Sequence, residues 1–432
     1  MQTEETIIEY TLENGLRVML KPIHTAPIVS SWVWYGVGSR NEQPGKTGVS
    51  HWVEHMQFKG TAQRTASDMD HAIARVGGSW NAFTSSDFTT YFETLPANSL
   101  ELALELEADR MQNSLFDPTE VETERTVILS EREGSENEPR WQLSEAVNQV
   151  SFTHHPYRNE VIGSRVDLLA LTRDDLFEHY QHYYQPGNAL LCIAGDFDID
   201  RTNELINHNF SQIAALPIHP HQPAPEATLP EIQQVELSGP GETTFLQIAY
   251  RSPKADDTDF FAFTILDSLL AGPSSLNMFG SGGVSNRTSR LYLNLIEKEF
   301  AVSLSGGLNA SIDPSTFDLY LTLHPAHSPQ ELLSKLDEQL DLIVDGKITQ
   351  NELDKAIKQA RALFAYGSDN ITNQAFWMGY SHVFANYDWF TSYIDQLTRV
   401  RLEDVARIAR HYLDPSHRVI GIYHPEKVET HE

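Results

Sequence analysis

The stretch GVSHWVEHMQFKGT, Gly48 to Thr61, places His51, Glu54 and His55 at spacings of three and four residues. On a helix these spacings put all three side chains on one face. Two imidazoles one turn apart can grip one metal ion. The carboxylate between them cannot easily share that grip, but it can hold a water beside the metal. The pattern is His-x-x-Glu-His, the inverse of the zinc-peptidase helix motif. With this content of histidine and acid, such a pattern arises by chance in roughly one chain in ten. A helix with paired histidines and no metal would look the same, so the other parts of a site must be sought elsewhere in the chain.

At 432 residues the chain is too long for one ordinary core, and two to four domains are expected. A hydrophobic content of 40% and an aromatic content of 10% fit a globular protein. The start, MQTEETIIEYTLENG, is acidic and lacks the apolar core of a signal peptide. No apolar run is long enough to span a membrane. The single cysteine, Cys192, lies in the apolar run NALLCIAG and reads as a small core residue. The expected location is the cytoplasm. A net charge of -29 disfavours nucleic acid and anionic membrane surfaces as partners and mildly favours basic peptides.

The first half alternates strand and helix patterns, as an α+β domain does. Strands are expected at Ile7 to Leu12 and Leu16 to Lys21 around the turn Glu13-Asn14-Gly15, at Ile28 to Gly36, at Trp80 to Phe83, at Thr89 to Leu95 and at Asn188 to Ala194. Helices are expected at Ser67 to Val76 with Ser67 as cap, at Leu100 to Gln112, from Pro118 through Glu131, at Thr172 to Tyr183 and at Asp200 to Ala214. The stretch PIHPHQPAPEATLP, Pro217 to Pro230, carries five prolines and reads as a linker. It divides the chain into 1–216, a linker at 217–232, and 233–432. The second half has helices expected at Asp259 to Leu270, Arg290 to Glu299, Ser328 to Asp345 and Gln350 to Tyr366, with a glycine-rich loop at Pro273 to Ser289. That loop lacks the Gly-Lys-[Ser/Thr] ending of a phosphate-binding loop.

A partial repeat links the halves. LTRDDLFEHYQHYYQPGNALLCIAG (Leu171 to Gly195) and LTRVRLEDVARIARHYLDPSHRVIGIY (Leu397 to Tyr423) both run from Leu-Thr-Arg through a helix and a proline to an apolar strand. Duplication of one ancestral domain is the economical reading. Only the first half carries His-x-x-Glu-His.

A catalytic zinc site needs a third protein ligand. The helix EVETERTVILSERE, Glu120 to Glu133, offers Glu124 and Glu131, two turns apart on one face, whereas Glu122 and Glu133 read as solvated acids. Between His55 and Glu131 stand 75 residues. In this spacing, and in the stretches ENGLRV, EHMQFKGT, GGSWNAFTSSDFTTYF, HPYRNEVIGSRVDLLALTRDDL and YYQPGNALLCIAGDFD, the chain resembles the pitrilysin/insulinase family of inverzincin metallopeptidases. That family includes insulin-degrading enzyme and mitochondrial processing peptidase.

The resemblance implies two homologous domains, each an antiparallel sheet with helices packed on one face, together half of a clamshell. It implies one zinc ion per chain on His51, His55 and Glu131, with Glu54 as the base that takes a proton from water and returns it to the leaving amine. Glu124 would orient a ligand imidazole from behind. Asn81 and Ala82 match the family's substrate strand, where an extended peptide pairs through its backbone. The function implied is zinc-dependent endopeptidase activity, with a non-catalytic peptide-binding or scaffold subunit as the alternative.

One part of the pattern departs. Family enzymes carry an arginine and a tyrosine in a segment like L-R-x-x-E-x-L-x-Y. Here LIEKEFAVS, Leu295 to Ser303, has Ile296 and Ser303 at those positions, and Arg290 and Tyr292 are the nearby alternatives. The resemblance therefore implies a homologous partner without the zinc motif that brings the arginine and tyrosine. A heterodimer is the expectation, with a homodimer as runner-up.

Overall fold

The computed structural model describes residues 7–217, 222–224, 226, 229, 232–274 and 284–426. The proline-rich stretch lies partly, and the glycine-rich loop largely, outside these residues. The chain forms two compact units: 1–133, 159–223 and 369–383 make the first, and 134–158, 224–368 and 384–432 the second. Unlike the expected division at 217–232, these units are not contiguous in sequence. The helix Pro139–Ser151, from the amino-terminal half, lies in the second unit. Nearly all of the helix Ile371–Phe384 lies in the first.

The first unit is built on a six-stranded sheet. Its strands are β1 (Ile8–Thr11), β2 (Arg17–Pro22), β3 (Ile28–Tyr35), β4 (Ser79–Thr84), β5 (Thr89–Pro96) and β6 (Ala189–Gly195), in the order β1-β2-β6-β3-β5-β4. The sheet is not wholly antiparallel, as had been expected. β6 inserts between β2 and β3, antiparallel to β3 and therefore parallel to β2. Being central, it is buried along its whole length, which is why ALLCIAG is a continuous apolar run and why Cys192 is fully buried.

Helices cover both faces of this sheet, not one. On one face Val18, Leu20, Val33, Tyr91 and Leu191 pack with Trp52, Val53, Leu104 and Ile128 of the helices. On the other, Trp32 stacks on Phe92 with ring centroids 4.0 Å apart and meets Phe376 of the Ile371–Phe384 helix edge-on at 5.7 Å. A Cβ on Gly379 would collide with the Trp34 indole, so glycine lets this helix lie flat on the tryptophans. Two opposed apolar faces need two layers of cover, and a contiguous amino-terminal half supplies only one of them.

The second unit has five strands, β7 (Gln233–Pro240), β8 (Phe245–Ser252), β9 (Ala301–Leu308), β10 (Ser315–Leu323) and β11 (Val419–Glu426), in the order β7-β11-β8-β10-β9. β11 is parallel to β7 and antiparallel to β8. This reproduces the first sheet without its β1, so the repeat seen in sequence corresponds to a repeat of topology. The two Leu-Thr-Arg segments precede the helices Arg173–Tyr183 and Leu402–Tyr412, which feed β6 and β11. Between β3 and β4 the first unit carries the His-x-x-Glu-His helix. Between β8 and β9 the second carries the apolar helix Phe260–Ala271.

Local chemistry moved some boundaries. Thr65, not Ser67, caps the helix Ala66–Arg75, in a reciprocal capping box with Asp68. The helix expected from Arg290 to Glu299 is a single π turn, Tyr292–Ile296. No helix among the described residues is long and apolar enough to cross a membrane.

Candidate metal centre

The motif helix spans Val49–Met56. Trp52, Val53 and Met56 bury its back in the core, which turns His51, Glu54 and His55 to the opposite side. Gly48 precedes it at φ +87°, where a Cβ would strike the backbone of Ile162 and Gly163. Gly48 has no side chain to cap the helix. The buried Glu42 does so instead, accepting from the N–H groups of Gly48 and Ser50, each at 2.9 Å. Burial pushes the Glu42 carboxyl up to about 7 against the pull of these two bonds.

The third ligand candidate comes from the helix Pro118–Glu136. Its inner side buries Val121, Glu124, Ile128 and Arg132. Two arginines fix its position. Arg125 donates to the carbonyls of Leu168 and Leu171 at 2.5 and 2.9 Å and lies over the Trp52 ring. Arg132 donates to the Gly163 carbonyl at 2.5 Å. Glu131 then faces the motif helix, with its oxygens 3.9 Å from His51 Nε2 and 3.8 Å from His55 Nε2. The ligand atoms of His51, His55 and Glu131 all lie within 4.8 Å of one another, the one such group found among the described residues.

The surroundings suit a cation. Burial, aided by the nearness of His55, draws His51 down to about 3, which keeps the imidazole neutral as a ligand must be. Burial also works against charge on His55, but its hydrogen bond to Glu124 and the charges of Glu54, Glu124 and Glu131 outweigh it and raise its pKa. The bond joins His55 Nδ1 to Glu124 Oε1 at 2.8 Å, so Nε2 is the nitrogen left to face Glu131. Glu124 itself is only 3% exposed. Burial alone would raise its pKa, yet the hydrogen bonds to His55 and Lys59 pull it below the usual range. Lys59 closes on its second oxygen as an ion pair.

Glu54 is 8% exposed, and burial raises its pKa against the opposing effects of His55 and Thr84. Thr84 Oγ1 donates to Glu54 Oε2 at 2.9 Å. Thr84 ends β4, the open edge of the first sheet. Asn81 and Ala82 lie in that edge strand. Asn81 is exposed, and its carboxamide oxygen accepts the Ala82 N–H at 2.9 Å. Trp80 and Phe83 are walls, packed on Phe58 and on the Trp32–Trp34 pair.

The structure thus brings together His51, His55, Glu131, Glu54 and Glu124, and sets Asn81 and Ala82 on the neighbouring edge. Glu42, Lys59 and Thr84 were not found from sequence. Their backbone positions depend on loop and strand geometry, although Lys59 four residues after His55 was a usable signal.

The amino-acid sequence matches two family models, Insulinase (Peptidase family M16) over residues 17–165 and Peptidase M16 inactive domain over residues 170–360. The chain belongs to the peptidase M16 family. It is 29% identical to a zinc protease of Helicobacter pylori, over 93% of this chain and 89% of that protein. It is 28% identical to a probable mitochondrial-processing peptidase beta subunit of Arabidopsis thaliana, over 66% of this chain and 54% of that protein. A crystal structure of a protease from Helicobacter pylori superposes with a TM-score of 0.90 at 26% identity, covering 98% of this chain and all of that one.

In the second unit, Ile296 and Ser303 stand near Arg290 and the half-buried Tyr292. Ser303 Oγ lies 2.6 Å from Thr322 Oγ1 and 3.3 Å from Arg140. Arg290 is buried and committed to Glu352 at 2.7 Å and to the Lys347 carbonyl at 2.9 Å.

Proposed function

We propose that this chain is the zinc-bearing subunit of a metalloendopeptidase that hydrolyses peptides or unfolded segments, with Glu54 as the base. The observation that carries this reading is the convergence of His51, His55 and Glu131 beside the buried carboxylate of Glu54. Two imidazoles and one carboxylate suit zinc and leave a coordination position open. Zinc held by these three residues would lower the pKa of a water from about 15.7 toward 7 and polarise a peptide carbonyl. Glu54 takes the proton of that water as its oxygen attacks the carbonyl carbon, then delivers it to the departing amine nitrogen. Burial raises the affinity of Glu54 for a proton, which suits a group that must accept and then hold one. Glu124 fixes the tautomer of His55. Asn81 and Ala82, on the open edge, receive the substrate as an added strand.

We further propose that a homologous subunit supplies the arginine and tyrosine that Ile296 and Ser303 do not provide. The supporting observations are those two residues and the commitment of Arg290 to Glu352. The test is to isolate the native complex, weigh it, and assay hydrolysis of a quenched peptide with chelator and after zinc is restored. The expected result is a second, homologous chain and activity that is lost with the metal and regained with it. Full activity in chelator would contradict the metallopeptidase reading, and a fully active homodimer would contradict the heterodimer.

A further inference from the structure

Glu54 has two carboxylate oxygens in different surroundings. Oε2 accepts from the Thr84 hydroxyl at 2.9 Å. No protein donor among the described residues reaches Oε1. Among the described residues, the shortest hydrogen bond of the Thr84 hydroxyl is the one to Glu54 Oε2. Thr89 Oγ1 lies 3.4 Å from Thr84 Oγ1, a longer contact than the 2.9 Å from Thr84 Oγ1 to Glu54 Oε2. Thr84 is the last residue of β4 and pairs with Thr89 of β5, so its backbone is fixed by the sheet and not by a loop. The carboxylate is therefore held at one oxygen by a group that is itself held.

We infer that Thr84 is the positioning residue of the Glu54 carboxylate: it occupies Oε2 and leaves Oε1 as the oxygen that receives the proton. This rests on the reading of Glu54 as the base. In the step concerned, the water oxygen forms a bond to the carbonyl carbon while one water proton passes to Oε1. The C–N bond then breaks, and that proton goes to the amine. Thr84 gives up nothing in this cycle. It keeps the accepting oxygen in line, and a displacement of about 1 Å in such a group can cost about 100-fold in rate.

The test compares Thr84→Val, which keeps the branched shape and loses the donor, with Thr84→Ser, which keeps the donor. Both are made in the zinc-loaded chain with whatever subunit accompanies it. Thr84→Val is expected to lower kcat by about 10- to 100-fold, with KM within about twofold and zinc content and Tm at wild-type values. Thr84→Ser is expected to recover most of the loss. Crystal structures of both variants give a readout independent of activity: the Glu54 carboxylate should leave its single orientation in Thr84→Val and keep it in Thr84→Ser. A Thr84→Val protein with wild-type kcat, a Thr84→Ser protein as impaired as the valine variant, or an unmoved carboxylate would each overturn the inference while leaving Glu54 as the base. A wild-type protein with no zinc-dependent hydrolysis would instead remove the functional reading on which the inference stands.

Discussion

Glu124 faces His55 with one oxygen and Lys59 with the other, both from a site only 3% exposed. Such a carboxylate is costly without cationic or donor partners, so Lys59 helps keep it charged, and through it keeps His55 in the tautomer that presents Nε2. Groups of this kind typically change metal affinity by about 10- to 100-fold when removed. Glu124→Gln is therefore expected to weaken zinc binding by about that factor, and Lys59→Met by about tenfold, measured by competition with a chromophoric chelator. Unchanged zinc affinity in both variants would contradict this account of the centre. His51, Glu54 and His55 were legible because helical spacing alone gathers them. Glu131 was legible only through a resemblance, since no local rule joins two helices so far apart in sequence. Thr84 and Glu42 were not legible, because a strand end and a loop bring them to the motif helix through tertiary structure.

At the scale of elements, strands and long amphipathic helices were read well, and the exceptions have physical causes. The helix Ile371–Phe384 was missed because it is apolar over much of its surface and lacks one clear stripe. The helix Pro139–Ser151 was missed between longer charged segments. Within the second unit, the apolar helix Phe260–Ala271 buries Asp267 against Gly306 of β9, where any Cβ would collide with the carboxylate. Burial pushes Asp267 up to about 7, against hydrogen bonds from Ser274. In the unfolded chain this carboxyl titrates near about 3.9. Between those values the folded state binds more protons than the unfolded state. The contribution to stability is thus fully present below the unfolded value and lost as pH rises through about 7. Asp267→Asn cannot ionise, so its Tm relative to wild type should be more favourable at pH 8 than at pH 5. An equal difference at the two pH values would contradict the buried, proton-holding state of Asp267.

For the whole molecule, each compact unit draws one helix from the other half of the sequence. The first loses the cover of Trp32 and Trp34 if the chain is cut near the proline-rich stretch, because Phe376 and Gly379 lie beyond it. A fragment ending near residue 216 is expected to show no cooperative thermal transition by circular dichroism, and adding residues 369–383 through a linker should restore one. A well-folded short fragment would show that this helix is dispensable. The proposed metal ligands and base lie in the first unit, and among the described residues the second unit has no comparable group; Ile296 and Ser303 are why a further subunit is expected. The most direct test of the central claim is Glu54→Gln in the native complex, with zinc content and peptide hydrolysis measured on the same preparation. The account predicts about one zinc per chain, as in the wild type, and hydrolysis lower by about 10²- to 10⁴-fold or more. Wild-type hydrolysis in this variant would contradict it.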